Sequence, residues 1–367
     1  MTRLFTYFLL LLGFSECKEK STDPSSRSFY LGFTPFPYAI SDEAVRYTYN
    51  EIKQNADIVC QHFDDGVPWV EALSGAEFHI NVRNDWTYRK SQQLSSQKLL
   101  LTFTPINFDR NGLANYKAEK TDMPLPDEWK NRKFTDNEVK TAYLNYCKRG
   151  LDFFKPDYFL MGIEVNLLLK QNPALWPDYL EFHQYIYQAL KTAYPSIKIA
   201  VSFTGIDLLQ GYTDVDYNQQ ITGFQQVIGM SDFMGISFYP YQTKYTTNTL
   251  PADMFEKLFQ LTDKPKAFTE TGYPAQKFSI FNNLVTFEGT EAKQNAYMER
   301  LFREANSANI EFIINFVLRD YDQLWQSIGA KDDVSIAWRD TGLIDENGLE
   351  RAAYQTWKKY FNLPIVK

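Results

Sequence analysis

Eight short apolar segments alternate with longer segments of helical period, and their connections are short on one side and long on the other. Together these features predict an α/β fold, a (β/α)8 TIM barrel. The chain has 367 residues, 44% hydrophobic and 16% aromatic, enough for one large core. Nothing resembling a linker interrupts residues 29–367, so a single barrel is predicted there.

The strand candidates, in order, are 29–34, 57–62, 98–104, 157–164, 197–203, 232–239, 265–270 and 311–318. Helical patterns lie between them, among them 41–55, 135–154, 178–194 and 290–307. Ser41 and Thr135 read as N-caps, and Glu138 completes a capping box with Thr135. Pro156, Pro195 and Pro265 punctuate the short links that lead into strands 4, 5 and 7, since proline cannot continue a helix. The long links, 105–133 and 319–349, follow strands 3 and 8. In a barrel of this kind the strand-to-helix loops build the face that carries the active site.

Ahead of the barrel, Arg3 precedes an apolar run, 4–14, of signal-peptide length and too short to span a membrane. Residues 1–17 are predicted to be a signal peptide and the polar stretch 18–28 a tether. Export follows, to the periplasm, the cell envelope or the medium. Cys17 resembles a bacterial lipoprotein site, although Glu16 stands where a small residue is usual, and ordinary cleavage nearby is the other reading. Lipid on Cys17 would be the one membrane attachment. Cys60 and Cys147 read as two buried thiols in preference to a disulfide.

The formal charge of -7, with no long block of like charges, argues against a nucleic-acid partner. No Gly-x-Gly-x-x-Gly, Walker-type or Gly-x-Ser-x-Gly motif occurs, so no cofactor is predicted. The three histidines, 62, 79 and 183, lack metal-ligand spacing, so no metal is predicted either.

Two strand ends carry a carboxylate in an apolar setting: Glu164 after Phe159-Leu160-Met161-Gly162-Ile163, and Glu270 after Lys266-Ala267-Phe268-Thr269. Burying such a group is costly and calls for a reason. Strand alternation would put Gly162 with Glu164 on one face, and Phe268 with Glu270 on one face. A rim salt bridge would explain either Glu alone; the two together, on strands 4 and 7, point to paired carboxylate chemistry.

With these motifs in hand, the sequence resembles the retaining glycoside hydrolases of clan A. Ile236-Ser237-Phe238-Tyr239-Pro240-Tyr241 looks like the clan's strand 6. Ser237, and Glu164 followed by Leu175-Trp176-Pro177, are similar to the endo-β-galactanase branch. Asp340-Thr341-Gly342-Leu343 with Asp345, Gly348, Arg351 and Trp357 looks like the closing βα unit of such barrels. The resemblance implies Glu164 as acid/base, Glu270 as nucleophile and Tyr239 as the residue positioning Glu270, with an oligo- or polysaccharide as substrate. Retaining chemistry needs the two carboxyl groups about 5–5.5 Å apart. It also implies sugar contacts from Ser237, Tyr241 and Tyr273 around the two strand ends. Ile163 departs from the pattern, standing where the clan has an Asn that holds the sugar 2-hydroxyl. Asn166 would share a face with Glu164 if the strand continued, and could substitute for it. Strand 8 lacks the Trp of many relatives, while Trp325 lies in the loop just after it.

The segment from Gln61 to Trp69 ends strand 2 on the same barrel face. It has two readings: sugar binding through His62, Asp64 and Asp65 with stacking on Trp69, or a tight Asp-Asp-Gly-Val-Pro turn plugged by Trp69. The function predicted is a retaining β-glycoside hydrolase acting on an extracellular or periplasmic glycan. The alternative is a non-catalytic, carbohydrate- or protein-binding barrel lipoprotein, which Ile163 favours.

Overall fold

The computed structural model describes residues 24–244, 250–328 and 335–367. The predicted signal peptide and Cys17 lie outside the described residues.

Eight parallel strands form the sheet: β1 (Tyr30–Phe33), β2 (Ile58–His62), β3 (Lys98–Thr102), β4 (Tyr158–Leu160), β5, β6 (Met234–Phe238), β7 (Lys266–Thr271) and β8 (Ile310–Asn315). Strand β5 comes in two pieces, Lys198–Ala200 and Ser202–Thr204, on either side of Val201. The first piece pairs with β4 and the second with β6, while β1 pairs with β8, so the sheet closes into a TIM barrel.

Side-chain alternation sorts the core into two layers. Ile58, Cys60, Leu100, Tyr158, Leu160, Ala200, Phe312 and Ile314 fill the barrel. Their neighbours Val59, Leu99, Leu101, Phe159, Ile199 and Ile313 face the surrounding helices. Cys60 and Cys147 are buried free thiols, as the sequence suggests.

Helix Asp42–Asn55 starts where Ser41 accepts the Ala44 N–H at 3.1 Å. Thr290 caps helix Glu291–Asn306 through the Lys293 N–H in the same way. The cap predicted at Thr135 does not form: helix Asn137–Phe154 begins after Asp136, and Glu138 pairs instead with Arg132 at 3.0 Å. Arg27 and Ser28, which fall at the end of the predicted tether, are docked on the barrel. Arg27 is buried, binds Asp57 through two guanidinium nitrogens and donates to the Phe361 carbonyl, while the Ser28 N–H is taken by Asn306. A charged side chain that finds both a carboxylate and carbonyl acceptors is better satisfied docked than in a free tether. Among the described residues, no helix is long and apolar enough to cross a membrane.

Candidate active site

Residues at the ends of the eight strands, or in the loops that follow them, surround one cleft of about 1160 Å³ at the C-terminal end of the barrel, and both Glu164 and Glu270 line it. Neither arrives there by simple strand alternation. Strand β4 stops at Leu160, and Glu164 adopts a left-handed backbone with φ 48°. A Cβ on Gly162 would meet Val165, Tyr179 and Val201, so Gly162 turns to the outer layer while Glu164 turns into the cleft. On β7, Phe268 pairs with Ile236 but Glu270 with Ser237, so a bulge inserts one extra residue between them. Phe268 therefore packs outward and Glu270 points inward, correcting the shared faces that strict alternation predicts. A left-handed non-glycine residue costs on the order of 1–3 kcal/mol and persists where its surroundings hold it. Here the Glu164 N–H donates to Ser202 Oγ at 2.9 Å, and Thr204 Oγ1 donates to Glu164 Oε1 at 3.2 Å.

Tyr239 follows β6 directly, and its hydroxyl donates to Glu270 Oε1. Burial, then the neighbouring Glu164, push the Glu270 carboxyl from its ordinary 4.5 up to about 8, against the pull of the Tyr239 hydrogen bond.

Arg110, which the sequence reading missed, joins them. It sits in the long loop after β3, itself left-handed at φ 55°. Its guanidinium grips Asp64 with two bonds, 3.0 and 2.7 Å, and reaches Glu164 Oε2 at 3.3 Å. An Asn-Phe-Asp-Arg-Asn-Gly run reads as an ordinary polar turn, and nothing in its spacing signals a residue pointing into a barrel mouth.

His62, Asp64 and Asp65 all line the cleft. Burial lowers the His62 pKa, which leaves its ring neutral at pH 7. Asp65 is tied to Lys117 at 2.6 Å. Trp69 is a plug, the second reading of its segment: fully buried, it stacks on Trp129 and donates to the Ala114 carbonyl at 2.8 Å.

Five further residues predicted to contact sugar lie outside the cleft lining. Asn166 opens a short helix, Asn166–Gln171, and is locked to Thr204 and Gln220, because the strand it was assigned to has already ended. Ser237 is buried inside β6. Tyr241 is buried with its hydroxyl on the Ala337 carbonyl, and Tyr273 packs against it. Trp325 donates to Ser335 Oγ at 3.0 Å, with Arg339 over its ring. The aromatic side chains in the cleft are instead Phe36, Phe108, Tyr212, Phe316, Tyr321 and Trp338, together with Tyr239. Phe316 directly follows β8, and Trp338 meets Tyr239 edge-on at 5.9 Å. Ile163 lines the cleft as an apolar side chain.

Away from the cleft lining, Asp320, Asp322 and Asp340 bring oxygens within 4.8 Å of one another. Arg351 binds Asp320 at 2.6 Å and Arg339 binds Asp340 at 2.9 Å, so two guanidinium groups already supply the charge that a cation would.

No protein-family model and no curated protein matches the chain. Solved structures do. An exo-β-1,4-mannosidase from Opitutaceae bacterium strain TAV5 superposes with a TM-score of 0.61 at 12% identity, over 92% of this chain and 59% of that one. A GH5_18 protein from Bifidobacterium longum, solved in complex with Manβ1-4GlcNAc, gives a TM-score of 0.60 at 12% identity over 92% and 80%. Fungal β-1,4-galactanases give 0.55 at 13% identity over 87% and 90%. The chain therefore spans about three-fifths of the mannosidase and four-fifths or more of the other two. The architecture is the TIM barrel shared with these clan A glycoside hydrolases, galactanases included.

Proposed function

We propose that the protein is a retaining β-glycoside hydrolase. The observation that carries this reading is the convergence of Glu164 and Glu270 in one cleft, with Tyr239 bonded to Glu270. Glu270 is the nucleophile. Its carboxylate attacks the anomeric carbon as Glu164 gives a proton to the departing oxygen, and Glu164 then takes a proton from water to release the sugar. The hydroxyl of Tyr239 fixes the attacking oxygen. Phe316 and Trp338 offer apolar faces to a sugar ring, and the His62 imidazole offers hydrogen bonding to its hydroxyls. The glycan is extracellular or periplasmic if residues 1–17 act as an export signal. The mature N-terminus by mass spectrometry tests that, with Cys17 as the first residue for a lipoprotein and an intact Met1 against export.

A second reading is a glycan-binding barrel without turnover. Ile163 favours it, because an aliphatic side chain in the cleft cannot hold a sugar hydroxyl. Both are tested by assaying a panel of activated aryl β-glycosides and polysaccharides for product and for binding. Cleavage that Glu270→Gln abolishes supports the hydrolase. Binding with no product for any substrate supports the second reading.

A further inference from the structure

We propose that Phe108 is a binding platform for a sugar ring beyond the one attacked, which makes the substrate a β-linked oligosaccharide and not a single sugar on a small aglycone. The inference rests on the cleft being a glycan site, but not on turnover there.

Phe108 is 69% exposed, and among the exposed large apolar side chains of the described residues it alone lines the cleft. A lone exposed phenylalanine on a surface needs no explanation. This one stands on a braced loop. Residues 106–113 form a tight turn closed by the Ile106–Leu113 bridge. Asn107 Oδ1 accepts the Asn111 and Gly112 N–H groups at 2.9 and 3.3 Å, and the Asn107 carbonyl accepts the Arg110 N–H at 2.9 Å. From outside the turn, Asp64 takes both bonds of the Arg110 guanidinium, and Asn172 donates to the Asn111 carbonyl at 3.0 Å. The ring is thus held at the cleft, and among the described residues no other ring or cation packs on it. The remaining aromatic side chains are largely engaged with one another. Phe36 packs on Phe316 and Tyr321 at 5.2 and 5.0 Å, and Trp338 meets Tyr239.

Position separates Phe108 from the reacting ring. Tyr239, bonded to Glu270, is buried at the cleft floor, whereas Phe108 stands at the open rim. The two levels are still close. Two sequence positions separate Phe108 from Arg110, a backbone span of at most about 7 Å, and Arg110 reaches Glu164 at 3.3 Å. A glycan chain that leaves the carboxyl pair on this side therefore meets Phe108 with a following ring. Room for it exists. Pockets of about 300–1,000 Å³ hold a ligand of drug size, the size of a two- or three-ring glycan, and this cleft measures about 1160 Å³. The C–H face of a pyranose is apolar, and covering the exposed Phe108 ring with it removes apolar surface from water on both partners.

Isothermal titration with full-length Glu270→Gln, in which no probe is consumed, tests this. The probes are β-1,4-linked oligosaccharides of glucose, mannose, galactose, xylose and N-acetylglucosamine, each from one to four units. For at least one sugar, affinity should rise as the chain grows from one unit to three. Adding Phe108→Ala should remove that rise, a loss of about 10-fold for the trimer and none for the monomer. Phe108→Tyr should keep it, and Tm should be alike in all three because the ring encloses nothing. Affinity that does not grow with length overturns the proposal, as does no binding of any probe. So does a trimer affinity that Phe108→Ala leaves unaltered, that falls equally with the monomer's, or that Phe108→Tyr loses as fully as Phe108→Ala. Length-dependent binding through Phe108 in a protein that cleaves none of these glycans would refute the hydrolase reading and leave this one standing. Cleavage at rates indifferent to chain length and to Phe108→Ala would do the opposite.

Discussion

Replacing Glu270 with glutamine should stabilise the protein at alkaline pH and leave its stability nearly unchanged in acid. The folded protein holds the Glu270 proton up to about pH 8, against an ordinary value of 4.5. A carboxyl whose folded value is raised contributes its full stability below pH 4.5. That contribution is lost as pH rises towards 8, because the folded state must then bury a charge that the unfolded state exposes to water. At about 1.36 kcal/mol per tenfold change in proton affinity, the span from 4.5 to about 8 corresponds to roughly 5 kcal/mol as an upper bound. Glu270 faces an open cleft, where water and Tyr239 offset part of this, so about 2 kcal/mol is the working figure. Glutamine keeps the shape and an acceptor for Tyr239 but carries no charge. Calorimetric Tm values for wild type and Glu270→Gln at pH 4.5 and pH 9 test this. The variant should gain a few degrees at pH 9 and about none at pH 4.5. An equal gain at both pH values, or a loss at pH 9, would refute the electrostatic reasoning, since packing effects do not follow the titration.

Three other outcomes follow from the site. Tyr239→Phe removes one hydrogen bond to a charged group, worth about 1.5–3 kcal/mol, so kcat should fall roughly 10- to 150-fold with the fold intact, as read by steady-state kinetics and circular dichroism. Trp338→Ala should weaken glycan binding by isothermal titration without lowering Tm appreciably. Trp69→Ala should do the reverse, costing about 3–5 kcal/mol of stability because its ring is wholly enclosed.

Much of the architecture was legible because its signals are local. Each strand is an apolar run that a barrel buries on both faces, and prolines mark the entries to β4, β5 and β7. Glu164, Glu270 and Tyr239 were legible from strand position and motif. Their orientation was not. It depends on a left-handed residue after β4 and a bulge in β7, and neither leaves a trace in a period-2 pattern. Asn166 was misassigned for the same reason, since extending β4 past Leu160 carries every later residue to the wrong face. Trp69 and Trp325 illustrate a different limit. An aromatic residue near a loop reads alike whether its ring faces sugar or core, and only the enclosing partners, Trp129 for the one and Arg339 for the other, decide. Arg110 was invisible because a long loop gives no register from which to aim a side chain.

The most direct test of the proposed hydrolase chemistry is covalent. Glu164→Gln should still be glycosylated by an aryl β-glycoside whose leaving group needs no proton, and the adduct should accumulate because no base remains to activate water. Intact mass followed by peptide mapping locates the sugar. The account predicts a single adduct, on Glu270, absent from the Glu164→Gln/Glu270→Gln double variant. An adduct on another residue, or none from any glycoside tested, would contradict it.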